Sequence, residues 1–407
     1  MDDNTLNLAQ KNKKSFEKLV LLISFITVVY ILFTKLTLVP QPFTDRGLLM
    51  IFCSLMIFGL QYQKENKGLK KLLLFIGLIF VIIGSIWVMY SADRLAANYY
   101  WAGEHDFYFF LIYMLGVIIL LWNSLGGKIV SLLGLIAVVY VFVGKYFSGP
   151  FSLPEFSPQS VATMVYTDVT KGAFGRFLSL TSRILALFLM FSSLLVATGL
   201  GDLIKSISML AAGKSKGGPA KVAVISSALF GMLSGSAVSN VAATGSFTIP
   251  LMKSIGYKPR TAAAIETIAS CGGGLAPPIM GLSAFIMAEI IGVPYFSIIV
   301  WAIIPAFLWY YTTFLYVHYS AYSQDVQAWE PPRKELFKLL KDRVHLLIAI
   351  AVLVITLIHT RVAQIAALYA VISLLLITNI RKVTRLDWGK TKTFLLEFAK
   401  IFSMICV

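Results

Sequence analysis

Long apolar runs alternate with short polar, lysine-rich segments along the chain, and the runs have the length of membrane spans rather than of core helices. They fall at about 19–39, 46–62, 70–90, 107–122 and 129–147, then at 177–200, 261–291, 294–318, 344–360 and 363–380, with a further apolar helix beginning at Thr391. This spacing predicts an all-α polytopic membrane protein with about ten spanning helices. One stretch departs from the pattern. VAVISSALFGML, from Val222, is an apolar run of roughly 12 residues, about 18 Å as a helix and too short for a ~30 Å hydrocarbon core. It runs into SGSAVSNVAATGSFTIP, Ser234 to Pro250, where small and hydroxylated residues replace the usual Leu, Ile and Phe. A chain stops at that depth only where its backbone polar groups are buried in protein or line a wet cavity. Residues 219–256 therefore predict a re-entrant helical hairpin.

The next run, 261–291, is interrupted by CGGGLAPPIMG, Cys271 to Gly281. Three glycines followed by two prolines, which lack N–H groups and obstruct the preceding turn, predict a broken helix. Two broken helices close in sequence point to the binding site of a secondary transporter. The same small residues serve a second purpose equally well: Gly231 and Gly235 form GxxxG, which lets membrane helices pack closely with no ligand present.

Charge orients this picture. The chain is 58% hydrophobic and 13% charged, with mean hydropathy +0.81, against about 25% charged for a soluble domain. The net charge of +16 does not imply nucleic acid, because the Lys and Arg residues fall between the spans. Lys11, Lys13, Lys14 and Lys18 precede the first span and are expected to keep the N-terminus in the cytoplasm. Most of the 35 basic residues share that side if the chain turns back within 222–252; a single crossing there would swap the later ones and erase the asymmetry. Trp87, Tyr90, Tyr99, Tyr100 and Trp101 read as an interfacial aromatic belt. Residues 148–176 carry Pro150, Pro154 and Pro158 and predict an amphipathic helix through Val161, Met164, Val165 and Val169 along the outer surface. No cleavable signal peptide is evident, so the first run is expected to stay as an anchor.

The residues from Ala228 to Tyr257, ALFGMLSGSAVSNVAATGSFTIPLMKSIGY, and the break at GGGLAPP, Gly272 to Pro278, resemble the large membrane subunit of the tripartite ATP-independent periplasmic (TRAP) transporters. The likeness is to the fused-permease form associated with TAXI-type substrate-binding proteins. It covers about Thr167 to Tyr319; residues 1–146 resemble the small subunit and linker in hydropathy only. The resemblance implies an ion-transporter fold of elevator type, in which the hairpin domain moves against a scaffold. It implies a sodium-coupled importer of a carboxylate, such as a C4-dicarboxylate, delivered by a periplasmic TAXI-type binding protein, with no other cofactor and no catalysis. Carried over by position, a cation site falls on Ser234, Ser236, Asn240, Gly273, Gly274 and Ala276, and a substrate site on Ser236, Ser239, Asn240, Thr244 and Pro277. The family's large subunit holds two inverted repeats, each with a hairpin and a broken helix. This chain shows the first repeat only, so its end at Val407 is expected to mark a truncated product, or a separate chain supplies the other half.

The expected organisation is a small-subunit-like scaffold (1–147), an outer amphipathic arm (148–176), a transport repeat with hairpin 219–256 and broken helix 261–291 (177–343), and the incomplete start of the second repeat (344–407). The chemistry fits: unwound carbonyls and helix C-termini supply oxygen atoms to a hard cation, and half-helix N-termini favour a carboxylate. Glu266 is an intramembrane carboxylate and a candidate for an ion or proton role, or an interfacial residue; Glu289 reads as a rim residue. SMLAAGKS, Ser208 to Ser215, lacks the first glycine of a nucleotide-binding loop, and His105, His318, His345 and His359 have no metal spacing. The alternative function is a non-transporting membrane scaffold, or an inactive permease fragment, whose broken helices only pack.

Overall fold

Helix is the one open-chain backbone state that satisfies its own N–H and C=O groups in hydrocarbon. The computed structural model is accordingly helical wherever an apolar run was predicted, and it describes residues 3–36, 42–65, 68–122, 127–212, 214–324 and 326–406. Residues 37–39, at the end of the first predicted span, lie outside them. Among the described residues eight helices are long and apolar enough to cross a membrane, or nine if Arg333–Arg343 and Leu346–Thr360, bent by 55°, form one span. The difference from about ten lies in 261–291, which breaks into the half-helices Pro259–Cys271 and Leu282–Ile291.

The chain divides into two compact units, residues 1–186 with 395–407, and residues 187–394. In the first unit the spans Gly68–Tyr90 and Glu104–Trp122 pack closely together, and Pro42–Tyr62 packs on the former. The predicted amphipathic arm is shorter and more deeply seated than expected. A helix at Pro158–Ala162 gives way to a π-turn at Thr163–Thr167, and the wider turn swings Tyr166 into the core. Tyr166 is fully buried, lies 5.4 Å and 5.5 Å from the rings of Tyr113 and Phe174, and donates its hydroxyl to the Gly84 carbonyl at 2.6 Å. Val161 is buried with it, while Met164 faces out. Nearby Asp106, also buried, accepts from Arg94, from the Trp87 indole at 2.7 Å and from the Gly103 amide at 2.6 Å, which satisfies a charge that would otherwise be costly.

The second unit is built around the hairpin. Its first arm, Gly218–Ser234, is 17 residues, about 26 Å at 1.5 Å per residue and short of a full crossing. The second arm, Ala237–Ser254, runs back beside it: Asn240 lies against Gly231 and Ser227 against Thr244, an antiparallel register. The two ends of the hairpin therefore meet. A methyl placed on Gly217 would stand 2.9 Å from the Tyr257 hydroxyl oxygen. The Gln327 amide donates to the Ile255 carbonyl at 3.0 Å, Ser215–Lys216 pairs antiparallel with Ala328–Trp329, and Arg343 forms a 2.8 Å salt bridge with Asp202. These contacts gather at one end the connectors that the charge pattern assigns to one side.

Candidate functional site

The hairpin turns on Gly235 and Ser236. Gly235 caps the first arm at φ +63°, a left-handed conformation that glycine adopts without penalty, and its N–H bonds to the Gly231 carbonyl at 2.8 Å. Ser236 caps the second arm, its hydroxyl accepting the Ser239 N–H at 3.3 Å. Pro259–Cys271 ends in a tight turn at Gly272–Gly274, and the chain then turns again over Leu275 to Ile279, across a cis Pro277–Pro278 bond, before the leaving half-helix at Leu282.

The tip of the hairpin seats directly in this break. A Cβ on Gly231 would fall 2.5 Å from the Gly273 Cα, and one on Gly235 would fall 1.9 Å from the Met280 carbonyl oxygen. The Met232 carbonyl accepts the Ile279 N–H at 3.2 Å, and the Gly274 carbonyl accepts that of Gly281 at 2.9 Å. Tyr295 braces the far side of the break, donating its hydroxyl to the Ile279 carbonyl while stacking on Phe285 at 4.0 Å. Two helix C-termini, at Ser234 and Cys271, and two N-termini, at Ala237 and Leu282, thus end around one place. That juxtaposition offers both the partially negative and the partially positive ends of helix dipoles. The Ser234 hydroxyl is buried and has no hydrogen-bond partner among the described residues, an oxygen suited to a cation.

The residues singled out in the sequence separate into two groups. Ser234, Ser236, Gly273, Gly274, Ala276 and Pro277 come together at the tip and the break, with Ser239 one turn into the second arm. Asn240 and Thr244 lie deeper. The Asn240 amide group donates to the Ser227 carbonyl at 2.8 Å and to the Ser270 carbonyl at 3.4 Å, tying both arms to the entering half-helix. Its Oδ1 faces the Thr244 hydroxyl at 3.3 Å.

Thr244 belongs to a cluster around Glu266, which is fully buried. The Glu266 carboxylate accepts from Ser227 at 3.1 Å, from Thr244 at 2.5 Å, from Ser270 at 3.3 Å, and from Thr248 on its other oxygen. These four hydroxyls come from both hairpin arms and from its own helix, and all are neutral. Glu266 is thereby an interior residue rather than an interfacial one. Glu289 is half-buried near the end of the leaving half-helix. Ser227, Thr248 and Ser270 were missed in the sequence. The signal was present, since Thr244 and Thr248, like Glu266 and Ser270, stand four apart and share a helix face.

Comparison with known proteins agrees with this architecture. The family described as "Tripartite ATP-independent periplasmic transporter, DctM component" matches residues 107–407, well over half of the chain. An uncharacterized protein, y4mL, of Sinorhizobium fredii (strain NBRC 101917 / NGR234) is 32% identical over 124 residues. That match covers 30% of this chain and 29% of the relative, so the chain spans under a third of the length of this curated relative. The family match takes in the hairpin, the break and the Glu266 cluster together, and the chain belongs to the DctM-component family of tripartite ATP-independent periplasmic transporters.

Proposed function

We propose that the chain is the membrane permease part of a sodium-coupled secondary transporter that imports a carboxylate handed over by a periplasmic TAXI-type binding protein. The observation that carries this reading is the meeting of four helix ends where the hairpin tip seats in the break, beside the unpartnered Ser234 hydroxyl. In this reading the Ser234 and Ser236 hydroxyls and the carbonyls from Gly273 to Ala276 surround the sodium ion, a hard cation that takes oxygen ligands. Asn240 holds the three helices that shape the site. The N-terminal ends at Ala237 and Leu282, with Ser239 and Pro277 beside them, face the substrate carboxylate. Thr244, placed in the substrate set by position, acts through Asn240 and Glu266. A chain supplying a second repeat is a further partner under this reading.

Sodium-driven uptake by proteoliposomes containing the purified chain and its binding protein tests it. Ser234→Ala is expected to raise the half-saturating sodium concentration about tenfold, as loss of one ligand costs about 1.4 kcal/mol. Sodium activation identical to that of the unaltered chain removes Ser234 from the site. Glu266 favours a second reading, in which a proton is the coupling ion. Its carboxylate is enclosed by neutral hydroxyls alone, so taking up a proton removes a buried charge. Uptake driven by an imposed pH gradient without sodium, abolished in Glu266→Gln, selects that reading. Absence of uptake under both gradients, in a folded chain that still engages its binding protein, selects the non-transporting scaffold.

A further inference from the structure

The first unit carries a groove that the transport reading does not use. It has a volume of about 390 Å³ and is lined by Lys70 and Leu73 on Gly68–Tyr90, Ile118, Ile119 and Trp122 on Glu104–Trp122, and Lys128 on Gly127–Val143. The middle helix packs against each of the other two, so it serves as the floor and they as the walls. Among the described residues the Gly127–Tyr146 wall is the least covered candidate span, with 17% of its apolar window buried against 67% for Phe43–Tyr62. Ile129 and Leu133 on it are 68% and 60% exposed.

The two ends of the groove differ in chemistry. Leu73, Ile118 and Ile119 make an apolar slot running toward the middle of the bilayer, and Trp122 stands at the level where indoles mark the interface. Lys70 and Lys128 cap the slot, and Lys71 lies one residue from Lys70. Lys70 is paired with Glu65 at 3.1 Å, so its charge is partly met, whereas Lys128 forms no ion pair with any described residue. No carboxylate among the described residues lines the groove. A zwitterionic headgroup would bring an ammonium group against these lysines, while an anionic one brings only its phosphate. The lysines stand at the end of these helices that the charge asymmetry assigns to the cytoplasm, where anionic lipid is attracted to basic clusters beside membrane helices.

From this juxtaposition we infer that the groove is a binding site for one anionic phospholipid of the inner leaflet, its phosphate between Lys70 and Lys128 and an acyl chain along Leu73, Ile118 and Ile119. The bound lipid fills the space between two walls that pack mainly on the floor helix, and so holds the sparsely packed Gly127–Val143 helix in place.

The test uses the full chain in detergent, titrated with phosphatidylglycerol or phosphatidylcholine and followed by native mass spectrometry. The unaltered chain is expected to retain phosphatidylglycerol in preference to phosphatidylcholine. Replacing both lysines, Lys70→Gln with Lys128→Gln, is expected to weaken phosphatidylglycerol about twenty-five-fold, at about a factor of five per lysine near an anionic surface. The matched change Lys214→Gln with Lys216→Gln, elsewhere on the chain, is expected to leave it unchanged. Equal retention of the two lipids, or equal loss in both double variants, overturns the proposal, as does displacement by inorganic phosphate. If the groove variants fail to fold, phosphatidylglycerol with brominated acyl chains supplies the second arm. It should quench the fluorescence of the unaltered chain more than that of Trp122→Phe, and an equal effect on both refutes the site.

Discussion

Glycine brings helices into backbone contact in both units, and the two contacts have opposite surroundings. Between Gly68–Tyr90 and Glu104–Trp122, a Cβ on Gly116 would fall 2.8 Å from the Gly77 carbonyl oxygen, the Phe80 Cβ and the Val81 nitrogen alike, and one on Gly77 would fall 2.8 Å from Ile119 Cγ2. Both helices run unbroken through that contact. At Gly231 and Gly273 the approach is as close, yet the helices end within a few residues and Asn240, Ser227, Ser270 and Glu266 stand around it. The first contact gains dispersion and no more, as membrane helices do at small residues. The second exposes helix ends and groups polar atoms at a depth where each must find a partner. Small residues alone therefore mark packing; small residues at a chain break with polar atoms behind them mark a candidate site.

The sharpest way to break this comparison is to remove the seat of the hairpin. Gly235→Val forces a branched side chain into a left-handed conformation and onto the Met280 carbonyl. We expect a cost of about 3 kcal/mol or more, read as the unfolding midpoint in mixed micelles, with uptake lost at the same time. A midpoint near that of the unaltered chain would mean that the tip is not seated in the break. Next in size is Glu266. Glu266→Ala removes the shared acceptor of four interior hydroxyls; Thr244 and Thr248 keep the Asn240 and Thr244 carbonyls at 2.8 Å and 2.9 Å, while Ser227 and Ser270 lose theirs and a cavity is left, at an expected cost of about 3 kcal/mol. Glu266→Gln is expected to cost about 1 kcal/mol. The Thr248 hydroxyl also lies 2.9 Å from the Thr244 carbonyl, so it can donate there and accept from the new amide. Equal losses in the two variants would show that the side chain's volume, and not its acceptor oxygens, holds the cluster. Smaller again is Tyr295→Phe, which keeps the stack on Phe285 and deprives the buried Ile279 carbonyl of its donor, for about 1 kcal/mol.

These residues also show how far the sequence could be read. Run length marked the hairpin, because an apolar stretch from Val222 is too short to cross, and Gly272 to Pro278 marked the break, because neither glycine triplets nor paired prolines continue a helix. Ser234, Ser236 and the glycines at the tip were readable for the same reason. What the sequence could not rank was depth. Asn240 and Ser236 look alike as polar residues near a turn, and only the antiparallel register sends one to bind the entering half-helix and the other to cap the tip. The Glu266 cluster draws on three consecutive helices, with a partner as far as 39 residues from Glu266, so its members come together only once those helices are packed. Tyr166 was read past because a π-turn shifts side-chain direction away from the 3.6-residue period that predicted an amphipathic helix.

The smallest expected effect sharpens the other side of the comparison. Gly134 lies inside Gly127–Val143, and a Cβ there would meet nothing within 4 Å. It lacks both the close approach of Gly77 and the chain break of Gly273, so its glycine has no packing task toward a described neighbour. Gly134→Ala should then act through the helix alone, where alanine is favoured over glycine by about 0.5–1 kcal/mol. The expected outcome is a midpoint unchanged or raised by up to about that amount, with uptake unaffected. A loss of stability instead would mean that a surface closes on Gly134 in the membrane. It would move this helix from the lipid-facing class to the packed one, and with it the argument that glycine is informative only where something touches it.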